Sequence, residues 1–190
     1  MLTAFVDESM RHRSDEDTWV YALAAVIVDH RGLSVVGDAM EGLRYRKNAR
    51  VHWRVERRER RPLIIERIAC LPLSGAVAVC LHGRAVKAER ARRLCIDALL
   101  ADLSSRGVDQ VVIESRGPAL DARDRGVLTG LRTAGQVRPV MSVAWSVAGS
   151  QPGLWAADCV AGTVSEWLDG DDRHWKRIEH RMTIIDVEAP

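Results

Sequence analysis

The stretch from Leu2 to Ser9, LTAFVDES, constrains this chain more than any other. Leu2, Ala4 and Val6 alternate with Thr3 and Phe5, so both faces of an extended run are largely apolar. A strand with one wet face alternates apolar with polar residues. A strand apolar on both faces belongs near the middle of a sheet, with layers above and below it. The run stops at Asp7 and Glu8, two carboxylates at the carboxyl edge of a buried element. In open α/β sheets ligands and metals gather just outside that edge. Two further acids stand in comparable places: Glu114, closing VDQVVIE, and Asp158, inside LWAADCVAG.

The other elements arrange themselves around that strand. Met10 to Asp17 is polar and reads as a hairpin connection, and Trp19 to Val28 is a second strand, antiparallel to the first. Leu33, Val36, Met40 and Leu43 recur at helical spacing, Val51 to Trp53 suits a short strand, and Pro62 opens a helix that continues to Leu71. Gly75 to Leu81 is a third strand. The apolar face from Ala88 to Leu103 is that of an amphipathic helix ending before Gly107. Val108 to Glu114 then follows a helical crossover, which predicts a strand parallel to its partner. A helix over Asp121–Ala134, a strand over Pro139–Val147 and a helix over Leu154–Leu168 follow. His174 to His180 reads as helical, and Met182 to Val187 as a candidate last edge strand. With 190 residues and no repeat or linker, this predicts one α/β domain with a mixed sheet.

Charge is informative where it is concentrated. From Arg44 to Arg61 the sequence RYRKNARVHWRVERRERR holds nine Lys/Arg against Glu56 and Glu59. The overall charge is only +2, so the rest of the chain is net acidic. Such a belt attracts polyanions to one surface, and Arg44, Arg46, Lys47, Arg50 and Arg54 are its candidate nucleic-acid contacts. The alternative is a solvated helix face laced with Glu–Arg pairs. Tyr45 and Trp53 interleave with the arginines, as stacking and phosphate contacts often do together. No apolar run approaches the roughly 18 residues that span a membrane, and no secretory leader is evident. Cys70, Cys80, Cys95 and Cys159 lack metal-type spacing and read mostly as buried small hydrophobes, in keeping with a reducing cytoplasm.

Asp158 shares a helical stripe with Leu154, Ala161, Ser165 and Leu168, a stripe that should face the sheet. A carboxylate there is costly unless it is paired, protonated or bound to a cation. The alternative is an acid favoured by the helix N-terminus. Asp7, Glu114 and Asp158 can share one small space only if cations neutralise them. Oxygen-only donors select Mg²⁺ or Mn²⁺, and two such ions about 3.5–4 Å apart can clamp a phosphodiester. Glu8 should point to the opposite side of its strand from Asp7. It either assists the metals, pairs with Arg11 or Arg13, or starts the turn. His52 reads either as a proton shuttle or phosphate contact or as a structural histidine, and Asp186, closing TIID, is a candidate fourth acid.

FVDES at Phe5–Ser9 and GLWAADCVAG at Gly153–Gly162, together with the order of elements, resemble the domain-of-unknown-function 3800 family, which is assigned to the ribonuclease H-like superfamily. The departures are Met10 where that family has Gly, and Leu-Trp where it has Leu-Gln. The resemblance implies a ribonuclease H-like domain over the whole chain, with a basic insertion around 44–61. It implies a five-stranded mixed sheet whose first and fourth strands are adjacent and parallel, so that Asp7, Glu114 and Asp158 meet at one edge.

Residues and resemblance together predict a divalent-metal-dependent nuclease acting on DNA or RNA by a two-metal mechanism, with Asp7, Glu114 and Asp158 as catalytic metal ligands. The rival expectation is a non-catalytic nucleic-acid- or partner-binding module on the same fold. A phosphatase with Asp7 as nucleophile would want a second Asp two residues on, where this chain has Ser9. Trp155 and Trp167 belong either to the core or to a homo-oligomer face.

Overall fold

The computed structural model describes residues 1–13, 17–46 and 49–189. Six strands form one mixed sheet: β1 (Leu2–Arg13), β2 (Thr18–Asp29), β3 (Leu73–His82), β4 (Gln110–Glu114), β5 (Ser142–Ser146) and β6 (Met182–Asp186). Their order is β5-β4-β1-β2-β3-β6. β1, β2 and β3 are antiparallel neighbours, while β4 lies parallel to β1, β5 to β4 and β6 to β3. The adjacency of the first and fourth strands is as expected. The sheet has six strands, not five, because the TIID segment adds to the outer edge of β3.

Five α-helices cover the two faces: α1 (Gly32–Gly42), α2 (Arg61–Ala69), α3 (Ala88–Ser105), α4 (Pro118–Thr133) and α5 (Pro152–Leu168). The pleat divides the core in two. Phe5, Ala22, Ala24, Val77 and Val112 join residues of α1, α2 and α5 on one side. Ala4, Val6, Leu23, Ala76 and Ile113 join residues of α3 and α4 on the other. Thus β1 is buried on both faces, as the double apolar alternation of Leu2 to Val6 requires. Helix α5 lies against β1 and β2 on one side and α1 on another, and all its residues from Gly153 to Glu166 are buried.

Two expectations need correction. The first strand does not end at Asp7 and Glu8. It runs on to Arg13, because the hairpin ladder with β2 continues to Arg13↔Thr18 and supplies backbone hydrogen bonds where side-chain burial has stopped. Only the β4 side of β1 ends there, its last pair being Val6↔Ile113. Asp7 and Glu114 are each the next residue beyond that pair, so both acids stand where β1 and β4 part. The second correction concerns Val51–Trp53. Instead of a strand, a 3₁₀ turn forms over Trp53–Val55, and Trp53 is buried beneath α5.

Candidate active site

Asp7 follows Phe5 on the α5 face of β1, where it is only 5% exposed. Burial pushes its carboxyl well above the usual range. A hydrogen bond with Glu114 and the charges of Glu114, Asp158 and Glu8 push it the same way. The backbone N–H of Glu8 donates to Asp7 Oδ1 at 2.7 Å. Glu114, at the end of β4, behaves oppositely. Burial raises it, but hydrogen bonds from Asp7 and Arg50 and the Arg50 charge outweigh that and lower it. The hydrogen-bonded pair is thus driven in opposite directions, Asp7 up and Glu114 down. Asp158 projects from α5 toward the same place, so three acids from β1, β4 and α5 feel one another's charge.

The segment 49–55 closes over this group. Arg50 Nη1 donates to Glu114 Oε1 at 2.7 Å. His52 Nδ1 lies 3.1 Å from each Asp158 oxygen, and that hydrogen bond raises the imidazole pKa against the opposing effect of partial burial. The Trp53 backbone N–H donates to Asp158 Oδ2 at 2.6 Å, and its indole N–H donates to Glu166 Oε1 at 3.0 Å. Asp158, Gly162 and Glu166 thus form an i, i+4, i+8 line on α5 that receives this segment. Gly162 is required here, because a Cβ would lie 2.1 Å from Trp53 Cδ1. Arg61 completes the fixture, donating to Glu166 Oε1 at 2.6 Å and to the Trp53 carbonyl.

The donor set is all carboxylate oxygen, the chemistry that suits Mg²⁺ or Mn²⁺. Burial is the largest cause of the raised Asp7 pKa, and the charges of Glu114, Asp158 and Glu8 add to it, a repulsion that a cation would relieve. In this arrangement Glu114 is turned to Arg50, and Asp158 to His52 and Trp53. Among the described residues no group of three or more His, Cys, Asp or Glu side chains is disposed to hold a metal ion.

The remaining expected site residues disperse. Glu8 points to the far face of the sheet, as strand geometry requires, and there Arg92 Nη1 donates to its Oε2 at 2.7 Å. Its partners are Arg92 and Arg116, not Arg11 or Arg13, which lie within salt-bridge distance of Asp169. Asp186 lies on β6, three strands from β1, and is not part of the acid group. Arg44 pairs with Glu41 and covers the Trp155 ring at 4.7 Å. Arg46 lies 5.8 Å from the Tyr45 ring centroid, Arg54 is exposed, and Lys47 falls outside the described residues. Tyr45 is exposed, but Trp53 is buried and does not offer a stacking surface. Trp155 is likewise core, and Trp167 stacks on Trp175 at 5.5 Å.

Sequence reasoning missed one cluster entirely. Arg92 of α3, 1% exposed, donates to Asp124 of α4 from Nε and Nη2, and to Glu8 and the Tyr21 hydroxyl from Nη1. Arg116 joins it, pairing with Glu89 at 2.6 Å and approaching Asp124 at 3.6 Å. Its only signal in the sequence is an arginine on the inner side of an amphipathic helix. The partners come from three other elements.

No family model and no curated protein matches the chain, so the resemblance to the domain-of-unknown-function 3800 family remains one of two short motifs. Among solved structures, the chain is similar to one described as the PCNA:RNase HII complex from Archaeoglobus fulgidus. The TM-score is 0.49 at 14% identity, over 95% of this chain and 77% of that one. At that distance no function is carried over.

Proposed function

We propose that the chain is a divalent-metal-dependent phosphodiester hydrolase acting on DNA or RNA, carried by one ribonuclease H-like domain. The observation that carries this reading is the gathering of Asp7, Glu114 and Asp158 at the parting of β1 and β4, with Asp7 buried and its charge opposed by the other two. Structural ion pairs do not need three mutually repelling acids at a strand edge. Cation sites do.

Asp7, Glu114 and Asp158 would hold Mg²⁺ or Mn²⁺. Bound there, the ion supplies water activation at neutral pH and neutralises charge on the phosphodiester oxygens. The chain's own residues prepare the place. The Trp53 N–H and His52 fix the Asp158 carboxylate, with the His52 proton held at Nδ1. Arg50, released from Glu114, is within reach of a phosphate at the same edge. The exposed arginines of the 44–61 belt grip the backbone, which makes binding fall steeply with salt. Removing a carboxylate that holds the charge-neutralising ion should lower turnover by about 10²–10³-fold, by analogy with the loss of a single preorganised electrostatic contact.

The test is cleavage of labelled single-stranded, duplex and hybrid substrates in Mg²⁺, Mn²⁺ and EDTA, with Asp7→Asn and Asp158→Asn alongside. Metal-dependent cleavage by the wild type that both variants lose is the expected result. A second reading, a non-catalytic binding module, is favoured by the Arg50–Glu114 and His52–Asp158 pairs, which satisfy two of the acids without a metal. Polynucleotide binding that ignores Mg²⁺, with no cleavage by any form, would select it.

A further inference from the structure

The segment that closes over the acids is built in alternation. His52, just ahead of the 3₁₀ turn, has extended backbone, with φ −145° and ψ 111°. Val51 and Trp53 sink into the core, at 1% and 4% exposure, while Arg50 and His52 bond to the carboxylates. Trp53 is pinned by its indole bond to Glu166 and its backbone bond to Asp158. The place of Arg50 is therefore set by buried neighbours and not by a loose loop. Its own side chain is not buried: it is 39% exposed, against 19% for its partner Glu114.

Arg50 stands where the acids need a cation. Its Nη1 lies 2.7 Å from Glu114 Oε1. Glu114 also hydrogen-bonds with Asp7, so this one carboxylate is engaged on both sides. Partial burial lowers the Arg50 pKa, but the Glu114 bond and the charges of Glu114, Asp158 and Asp7 outweigh that and raise it. One side chain thus feels all three acids, with the sign of charge that a metal ion would bring. A guanidinium keeps its charge at every working pH, so the pair does not titrate away. A carboxylate committed to such a pair is open to a metal ion only in the fraction of molecules where the pair is broken, and apparent affinity falls by that fraction.

We propose that Arg50 is the built-in counter-ion of the acid site, and that Arg50 and a divalent cation exclude each other at Glu114. This rests on the metal-dependent reading and adds to it how the site is held while no metal is bound. Val51 and Trp53 stay in the core and keep the segment in place. The exposed Arg50 side chain swings off Glu114 toward solvent, and its charge becomes available to a phosphate at the same edge. The metal-free site is closed by its own arginine, and the free concentration of divalent cation decides whether it opens.

The test is calorimetric titration of Mn²⁺ into the full, metal-free chain with no nucleic acid present. Arg50→Gln and Arg50→Met remove the charge and keep most of the side chain. Arg54→Gln, exposed on the adjoining 3₁₀ turn, controls for the loss of one positive charge nearby. Both Arg50 variants should bind Mn²⁺ at least tenfold more tightly than the wild type, and Arg54→Gln within about twofold of it. In EDTA both Arg50 variants should melt below the wild type, because Glu114 loses its partner, and Mn²⁺ should narrow that difference. Arg50 variants that bind no more tightly than the wild type, or an Arg54→Gln improved as much as they are, would overturn the proposal. If the wild type binds Mn²⁺ in that case, the metal-site reading stands and this proposal alone falls. No binding by any form removes the metal-site reading and this proposal with it.

Discussion

Asp7 has apolar strand on both sides and a second carboxyl hydrogen-bonded to it, and each condition disfavours its charge. Its pKa in the folded chain is above the unfolded value, so between the two the folded state binds the extra proton. Stability of the metal-free protein therefore falls as the pH rises from about 4 through the folded pKa. Asp7→Asn removes that dependence and keeps the shape. In EDTA the variant should melt higher than the wild type at pH 8, by about 2–4 °C for each kcal/mol of relief in a chain of this size. The difference should shrink toward pH 4. Parallel melting curves across that range would mean that Asp7 is not held protonated. This residue was legible in the sequence because both-face alternation ends on it. What surrounds it was less so. Arg50 reads in the sequence as a phosphate contact, yet it turns inward to Glu114, because an unpaired carboxylate nearby competes for it.

Among the elements, helix α3 is fastened to the sheet by Arg92, whose guanidinium is shared by Asp124, Glu8 and the Tyr21 hydroxyl. Removing one partner of a buried pair leaves the other uncompensated. Arg92→Ala should cost about 3–5 kcal/mol in urea unfolding, and Arg92→Met with Asp124→Leu should recover most of it. A single variant as stable as the wild type would show that the network carries no stability. Periodicity found α3 and its apolar stripe, but the pairing of Arg92 depends on residues 32 and 84 positions away. The length of β1 was misread for a related reason. Ser9 to Arg13 lack an apolar alternation, and the hairpin ladder with β2 keeps them extended. Trp53 seemed a stacking residue by its arginine neighbours. Gly162, more than a hundred residues on, opens the notch in α5 that buries it.

At the scale of the whole molecule, chain topology is what brings three distant acids within range of one another's charge. Adjacency of β1 and β4 puts Asp7 beside Glu114, and α5, running along β1 from Gly153 at Phe5 to Ser165 at Ser9, brings Asp158 to them. Spacing alone could nominate each acid, and the expected strand order joined them. The sixth strand was legible as the apolar run from Met182 to Val187, against the five strands that the resemblance implied, whereas the covering segment 49–55 depends on tertiary contacts that no local pattern encodes. No described helix is long and apolar enough to cross a membrane. The central claim is that this convergence exists to hold a divalent cation, and calorimetric titration of Mn²⁺ into the metal-free wild type, Asp7→Asn and Asp158→Asn tests it most directly. Saturable binding by the wild type that weakens at least tenfold in both variants is the predicted result. Equal binding by all three, or none by the wild type, would contradict it.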